Sequence, residues 1–246
     1  MISSKQNQNI KLAKSLSSKK SRKETGLFLI EGPTLLEEAL KKNIELKQVW
    51  HLEDYEPKQI EGSKCEIISQ DFLEYISDTQ NPNQVAAIAK QKPNADIDLT
   101  SSKFLLYCEN IQDPGNLGSI IRSAVAAGVD AIILSEHCAD IYNPKVIRAS
   151  MGALFYAPIV YKNLSELDLP HAKIASSLQA NQDHNELKLK QDQSILLMVG
   201  NESQGLEAET EKLADHLVKI KMANDFESLN VVAATSVLLF HNWRQD

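Results

Sequence analysis

The sequence has 246 residues, a formal net charge of −7, 43% hydrophobic and 24% charged residues. Those values fit a water-soluble globular chain of one large domain or two modest ones. No apolar run reaches the roughly 18 residues a membrane span needs, and the acidic balance argues against a nucleic-acid binder working by bulk charge. The charge is unevenly placed. Seven basic residues, from Lys5 to Lys23, precede the first acidic one, Glu24. Residues 1–23 therefore read as a basic, flexible arm on an acidic body. Such an arm either contacts phosphates by counterion release or is a solvated terminus. No apolar core follows it, which argues against a secretory signal.

"GLFLIEGPTLLEEALKKN" reads as strand, turn and helix, because a short apolar run meets Gly32-Pro33 and apolar residues then recur at helical spacing. "LKQVWHL" and "CEIIS" read as strands, "DFLEYIS" as a short helix and "QVAAIAK" as a strand. This predicts a small α/β module over 24–91, followed by a polar, proline-containing linker over 92–102. The pattern then restarts. "FLLYCE", "AIILS", "KIASSL", "ILLMVG" and "LVKIKM" read as buried strands, with charged, helix-compatible segments between them. That alternation predicts a mainly parallel sheet covered on both faces over 103–246. "SLNVVAATSVLLFHNW" closes the chain as a helix apolar nearly all round, either a subunit interface or a central helix of one subunit.

Cys65, Cys108 and Cys138 are scattered and form no CxxC pair, and the histidines show no HExxH spacing. This argues against a disulfide framework or metal site and for a reducing cytoplasm. His137 beside Cys138 reads most simply as loop chemistry. Neither GxGxxG nor a P-loop motif occurs, so dinucleotide and P-loop nucleotide readings have little support.

Ligands of open parallel sheets bind where strands end and loops turn into helices. Three such places are chemically unusual. In "ENIQDPGNLGSIIRSA", Asp113-Pro114-Gly115 signals a turn and Asn116 is a good N-cap. Arg122 lies on a thin face of the ensuing helix. Its side chain leans back toward the N-terminus, where an anion is already favoured. Its partner is then a phosphate or a developing oxyanion, or alternatively a buried carboxylate such as Glu109. In "VGNESQGLEAE", Gly200 and Gly205 bracket three polar residues. In "IKMANDFESLNVVAATSVLLF", Glu227, Ser228 and Asn230 are more than a helix cap requires.

In this order, "NIQDPGNLGSIIRSAVAAGVDAIILS", "YNPKVIRASMGALFYAPI", "LLMVGNESQGL" and "IKMANDFESLNVVAATSVLL" resemble the SpoU family of RNA 2′-O-ribose methyltransferases, within the SPOUT superfamily. The N-terminal module is similar to that family's L30e-like substrate-binding domain. The resemblance implies a trefoil-knotted α/β fold, S-adenosylmethionine bound at the knot, and a homodimer acting on RNA without a metal. The RNA is 23S ribosomal RNA, or alternatively transfer RNA; a non-catalytic ribosome-assembly protein that keeps the fold is the reading from another class. The resemblance also implies a reaction centre of Asn116, Arg122, Glu202, Ser228 and Asn230, with Glu202 orienting Arg122 or Asn230. Leu178, Gly200, Gly205, Ile220, Met222 and Leu229 would line the cofactor. Lys221, Asn224 and Val232 depart from the family's usual proline, glycine and serine. Asn tolerates left-handed backbone, so Asn224 is expected to replace glycine conformationally.

Overall fold

The structure, a computed structural model, describes residues 6–57, 64–79, 82–92, 97–224, 227–241 and 243. In chain order its elements are α1 (Gln8–Ser15), α2 (Lys19–Thr25), β1 (Leu27–Glu31), α3 (Pro33–Lys41), β2 (Leu46–His51), β3 (Lys64–Ile67), α4 (Gln70–Ile76), β4 (Val85–Lys90) and β5 (Phe104–Cys108). They continue with α5 (Pro114–Ala126), β6 (Ala131–Leu134), α6 (Pro144–Ser150), β7 (Ile159–Tyr161), β8 (Ala172–Ser176), β9 (Gln182–Asp183), β10 (Ile195–Val199), α7 (Ala208–Glu211), β11 (His216–Lys219) and α8 (Val231–Leu239). The chain forms two compact units. One holds Met1–Pro93 with Asp140–Tyr156, the other Asn94–Ala139 with Ala157–Asp246. Residues 1–5 of the expected arm and 93–96 of the expected linker lie outside the described residues.

The first unit is built on a four-stranded sheet, order β1-β4-β2-β3, with only the β2–β3 pair parallel. All of Leu27 to Ile30 is buried, so β1 must be covered on both faces. Leu27 and Leu29 join a core with Ile10, Ala13, Leu16, Trp50, Ile68, Leu73 and Ile88. Phe28 meets Tyr142 at a ring-centroid distance of 4.8 Å and Phe155 at 6.1 Å. Residues 140–156, read with the C-terminal half of the sequence, therefore complete the second face of β1 in this unit.

The expected flexible arm is corrected here. Residues 8–25 form two helices, capped by the side chains of Asn7 and Ser18, with Ile10, Ala13 and Leu16 fully buried. Three apolar residues at helical spacing suffice, because each buried Leu or Ile contributes about 1.5–3 kcal/mol. Arg22, counted among the arm's free cations, is 2% exposed.

The second unit carries a seven-stranded, wholly parallel sheet, order β7-β6-β5-β10-β8-β11-β9. Its five longest-read strands fall where the apolar runs lie. The helix-compatible segments between them mostly do not form α-helices. Residues 162–171 and 177–194 contain only single 3-10 turns and β9, and α7 has four residues. Leu99, in the second half of the expected linker, is buried in this unit's core beside Leu105, Tyr107, Ile133 and Leu196. On the other face α5 packs against α8, and α8 against β10.

Candidate functional site

β5, β10, β8 and β11 are neighbours and all run the same way. Their carboxyl ends therefore share one edge, and the loops that leave it carry the residues singled out from the sequence except Asn116 and Arg122, which lie on α5. Parallel sheets bind ligands at such an edge.

After β5, Glu109 is buried and Asn110 takes a left-handed φ of 55°. The cap of α5 is Asp113, whose Oδ1 accepts from the Asn116 N–H at 2.8 Å. Asn116 is thus in the first turn and not the cap itself. Pro114 at the first helical position fixes the start three residues earlier than expected. Freed from capping, Asn116 donates from Nδ2 to Glu202 Oε1 at 2.7 Å, across 86 positions of sequence. Glu202 was expected to orient Arg122 or Asn230, and its partner is instead Asn116.

The loop bearing Glu202 follows β10. Asn201 and Gly205 exchange two backbone hydrogen bonds of 2.9 Å and close it. Asn201 Oδ1 accepts the Ser203 N–H at 2.9 Å. A Cβ on Gly200 would lie 2.1 Å from the Gly205 carbonyl carbon, so only hydrogen fits there. Gly205 needs its φ of 71°.

Arg122 is exposed, and among the described residues it has no hydrogen-bond or ion-pair partner. The alternative of a buried Arg122–Glu109 pair falls. Glu109 accepts instead from the Glu207 N–H at 2.6 Å, the Thr210 hydroxyl at 2.5 Å and Tyr107 at 3.4 Å. A permanent cation on a helix beside this edge therefore remains available to a ligand.

After β8, Leu178 is 66% exposed. After β11, Ile220 and Met222 are half-buried, and Asn224 takes φ 58°, the left-handed conformation expected of it. Ser228, Leu229 and Asn230 are exposed, and Asn230 Oδ1 caps α8 by accepting the Val232 N–H at 2.9 Å. Ser123 Oγ on α5 and Ser236 Oγ on α8 are 2.8 Å apart, which ties the helix bearing Arg122 to the one that begins at Asn230. The hydrogen bonds thus join Asn116 to Glu202. Arg122, Ser228 and Asn230 share the edge without bonding to that pair.

Burial pushes the thiols of Cys108 and Cys138 up, so neither is poised as a thiolate beside the site. Among the described residues, α5 and these loops carry the cations Arg122 and Lys221, the amides of Asn116 and Asn230, the carboxylates of Glu202 and Glu227, and the Ser228 hydroxyl. Gly200 lets the backbone of Gly205 and Leu206 pack directly on it, which fixes the shape of the second loop, and the loops also carry apolar side chains at Leu178, Ile220, Met222 and Leu229. Among the described residues no three His, Cys, Asp or Glu side chains are grouped as metal ligands. That set pairs apolar surface with a cation and hydrogen-bonding groups, as a ligand with both apolar and anionic parts requires. Asn110 and Asn201 escaped sequence reading as partners. A partial signal was present at Asn110: Asn, the residue type after glycine most tolerant of left-handed backbone, stands two positions after the end of β5 and takes that conformation.

Residues 103–240 match the SpoU rRNA Methylase family, and residues 7–87 match the MRM3-like substrate binding domain. The chain is 35% identical to the 23S rRNA (guanosine(2553)-2′-O)-methyltransferase RlmP of Bacillus subtilis, over 98% of each chain. It is similar to the AdoMet-bound rRNA methyltransferase of Sinorhizobium meliloti, with TM-score 0.86, 29% identity and coverage of 97% of this chain and 95% of that one. The SpoU methyltransferase AviRb of Streptomyces viridochromogenes, crystallised with AdoMet, superposes with TM-score 0.84 at 25% identity over 96% of each chain.

Proposed function

The chain belongs to the SpoU rRNA methylase family, and from that premise we propose that it catalyses S-adenosylmethionine-dependent methylation of a ribose 2′-hydroxyl in 23S ribosomal RNA. The observation that carries the reading is the Asn116–Glu202 hydrogen bond, which fastens two of the three motif segments together on the helix that also bears the exposed Arg122. When bound, S-adenosylmethionine would supply a methyl group whose bond to the sulfonium sulfur breaks as the ribose oxygen bonds to it, the sulfur leaving as a neutral thioether and the hydroxyl proton passing to solvent. The chain's task is then placement and charge stabilisation. Gly200 and Gly205 shape the loop whose backbone would meet the cofactor, Gly200 by close packing on Gly205 and Gly205 by its left-handed φ, and Leu178, Ile220, Met222 and Leu229 would form the apolar wall. Ser228 and Asn230 face the target hydroxyl from the third loop. Arg122 holds the adjoining phosphate or the oxygen as it gains negative charge. A guanidinium stays protonated, so the base is not Arg122.

β11 pairs with β8 on one side and with β9 on the other, although β8 and β9 are only a few residues apart in sequence. That insertion supports a knotted crossing at the cofactor edge. Dimerisation is supported by α8. Val237 and, three residues on at the C-cap, Phe240 leave 41% and 64% of their surfaces exposed. A second copy of this chain would cover that stripe. Phe240→Asp is expected to convert the dimer to monomer in sedimentation velocity and to lower transfer with it; an unchanged dimer would remove the stripe from the interface. Three free cysteines are consistent with a reducing cytoplasm as the place of work.

The test is transfer of labelled methyl groups to 23S rRNA fragments, followed by 2′-O-methylation mapping. We expect one modified ribose, sought first at the guanosine equivalent to 2553, because the relative of like length is named for it. Methylation of transfer RNA alone would move the substrate to that class. S-adenosylmethionine binding without any RNA methylation would leave the ribosome-assembly reading.

A further inference from the structure

We propose that Asn110 is a positioning residue for this reaction, setting the separation between the loop that carries Asn116 and the loop that carries Glu202; the inference rests on the methyltransferase reading. Asn110 is placed where the ends of β5, β6 and β10 meet, and all four of its polar groups are engaged. Its N–H donates to Ser135 Oγ at 2.9 Å. The Ser135 hydroxyl donates back to Asn110 Oδ1 at 3.1 Å. Asn110 Nδ2 donates to Glu207 Oε1 at 2.8 Å, and its carbonyl accepts from Asn201 Nδ2 at 2.9 Å.

The last two bonds grip the Glu202 loop on both sides, one residue before Glu202 and five after it. The first two anchor Asn110 to Ser135, which is 3% exposed and follows β6. A left-handed φ of 55° turns the chain at this point toward Asp113 and α5. Asn is the side chain that tolerates this conformation while supplying both an amide donor and an amide acceptor. The short Asn116–Glu202 bond is thus a consequence of a junction six residues upstream. Displacing the two loops by a fraction of an ångström would move Arg122 and the Gly200 backbone relative to each other, and alignment of reacting atoms is sensitive to such shifts.

Asn110→Gly is the informative variant, because glycine keeps the left-handed turn and removes only the side chain. In the methylation assay on 23S rRNA fragments we expect kcat to fall about ten- to a hundredfold, with KM for RNA within a factor of about two. Hydrogen–deuterium exchange should quicken in peptides covering 113–117 and 200–207 while the β5 and β10 strands stay protected. The double substitution with Glu202→Ala should cost less than the sum of the two single ones, since alanine removes the acceptor for Asn116 and both changes act on one linkage. Wild-type kcat in a correctly folded Asn110→Gly protein, additive costs, or unchanged exchange in both loops would each overturn the inference. If the wild-type protein transfers no methyl group, the functional reading fails, and the exchange measurement still decides whether Asn110 sets the loops.

Discussion

Arg122→Ala is expected to lower kcat for methyl transfer by about 10²–10³-fold, the cost of removing one preorganised charge-stabilising donor, while leaving the melting temperature and S-adenosylmethionine affinity close to wild type. The two halves of the expectation have separate grounds. Arg122 is exposed on α5 and has no hydrogen-bond or ion-pair partner among the described residues, so its removal breaks nothing within the unit. Alanine is also the better helix former. The loss therefore falls on whatever the cation meets in the complex. A proton acceptor would be replaced in part by solvent as pH rises, whereas a lost cation would not. The defect of Arg122→Ala should accordingly persist across the alkaline range. Arg122→Lys should recover only part of the rate, because an ammonium supplies the charge without the planar fork that grips phosphate or alkoxide oxygens. Single-turnover methylation of 23S rRNA fragments with saturating cofactor measures the effect. A wild-type rate from Arg122→Ala would remove the residue from the mechanism.

The residues at the sheet edge were legible in the sequence to the extent that their surroundings were strongly patterned. β5, β6 and β10 are continuous apolar runs, which a strand buried on both faces requires, and each lies where the run does; β8, with Lys173 and Ser176, is a weaker run in the same place. β7 and β9, at three and two residues, are too short to leave a pattern. Asn116 and Asp113 are equally good caps by residue type. Pro114 was the deciding signal, and once Asp113 takes the cap, Asn116 is free to reach Glu202. That bond spans 86 positions, and no local rule fixes it. The same holds for Glu109, whose carboxylate is taken by Glu207 and Thr210 about a hundred residues away, leaving none of it for Arg122. At the N-terminus the many lysines masked three apolar residues. A composition argument therefore read a solvated arm where a pattern argument over Ile10, Ala13 and Leu16 would have found a buried helix face.

That correction changes what a truncation would do. Arg22→Ala is expected to destabilise the first unit by about 3 kcal/mol, at the low end for breaking a buried ion pair because Asp140 keeps some access to water. Arg22 Nε and Nη2 donate to Asp140 Oδ2 at 3.0 and 2.7 Å, and Nη1 donates to the Leu16 and Ser17 carbonyls at 2.8 Å each. One guanidinium thus fastens the α1–α2 turn to the segment that covers Phe28. Alanine would leave a carboxylate and two carbonyls unpaired. Lysine would restore a charge at one point only and could not reach all three acceptors in one plane. Deleting residues 1–23 would go further, since it removes Ile10 and Leu16 from the core around Trp50 as well, each worth about 2–5 kcal/mol when truncated. Lost RNA affinity in such a deletion would then report unfolding of the unit and not the loss of phosphate contacts. Trp50 is fully buried, and in a Trp243→Phe background it is the single tryptophan, so its fluorescence follows this unit through denaturant unfolding. The Arg22→Ala midpoint should fall well below that of the parent. An unchanged midpoint would mean that the Arg22–Asp140 pair is dispensable and that the basic segment acts, after all, through its charge.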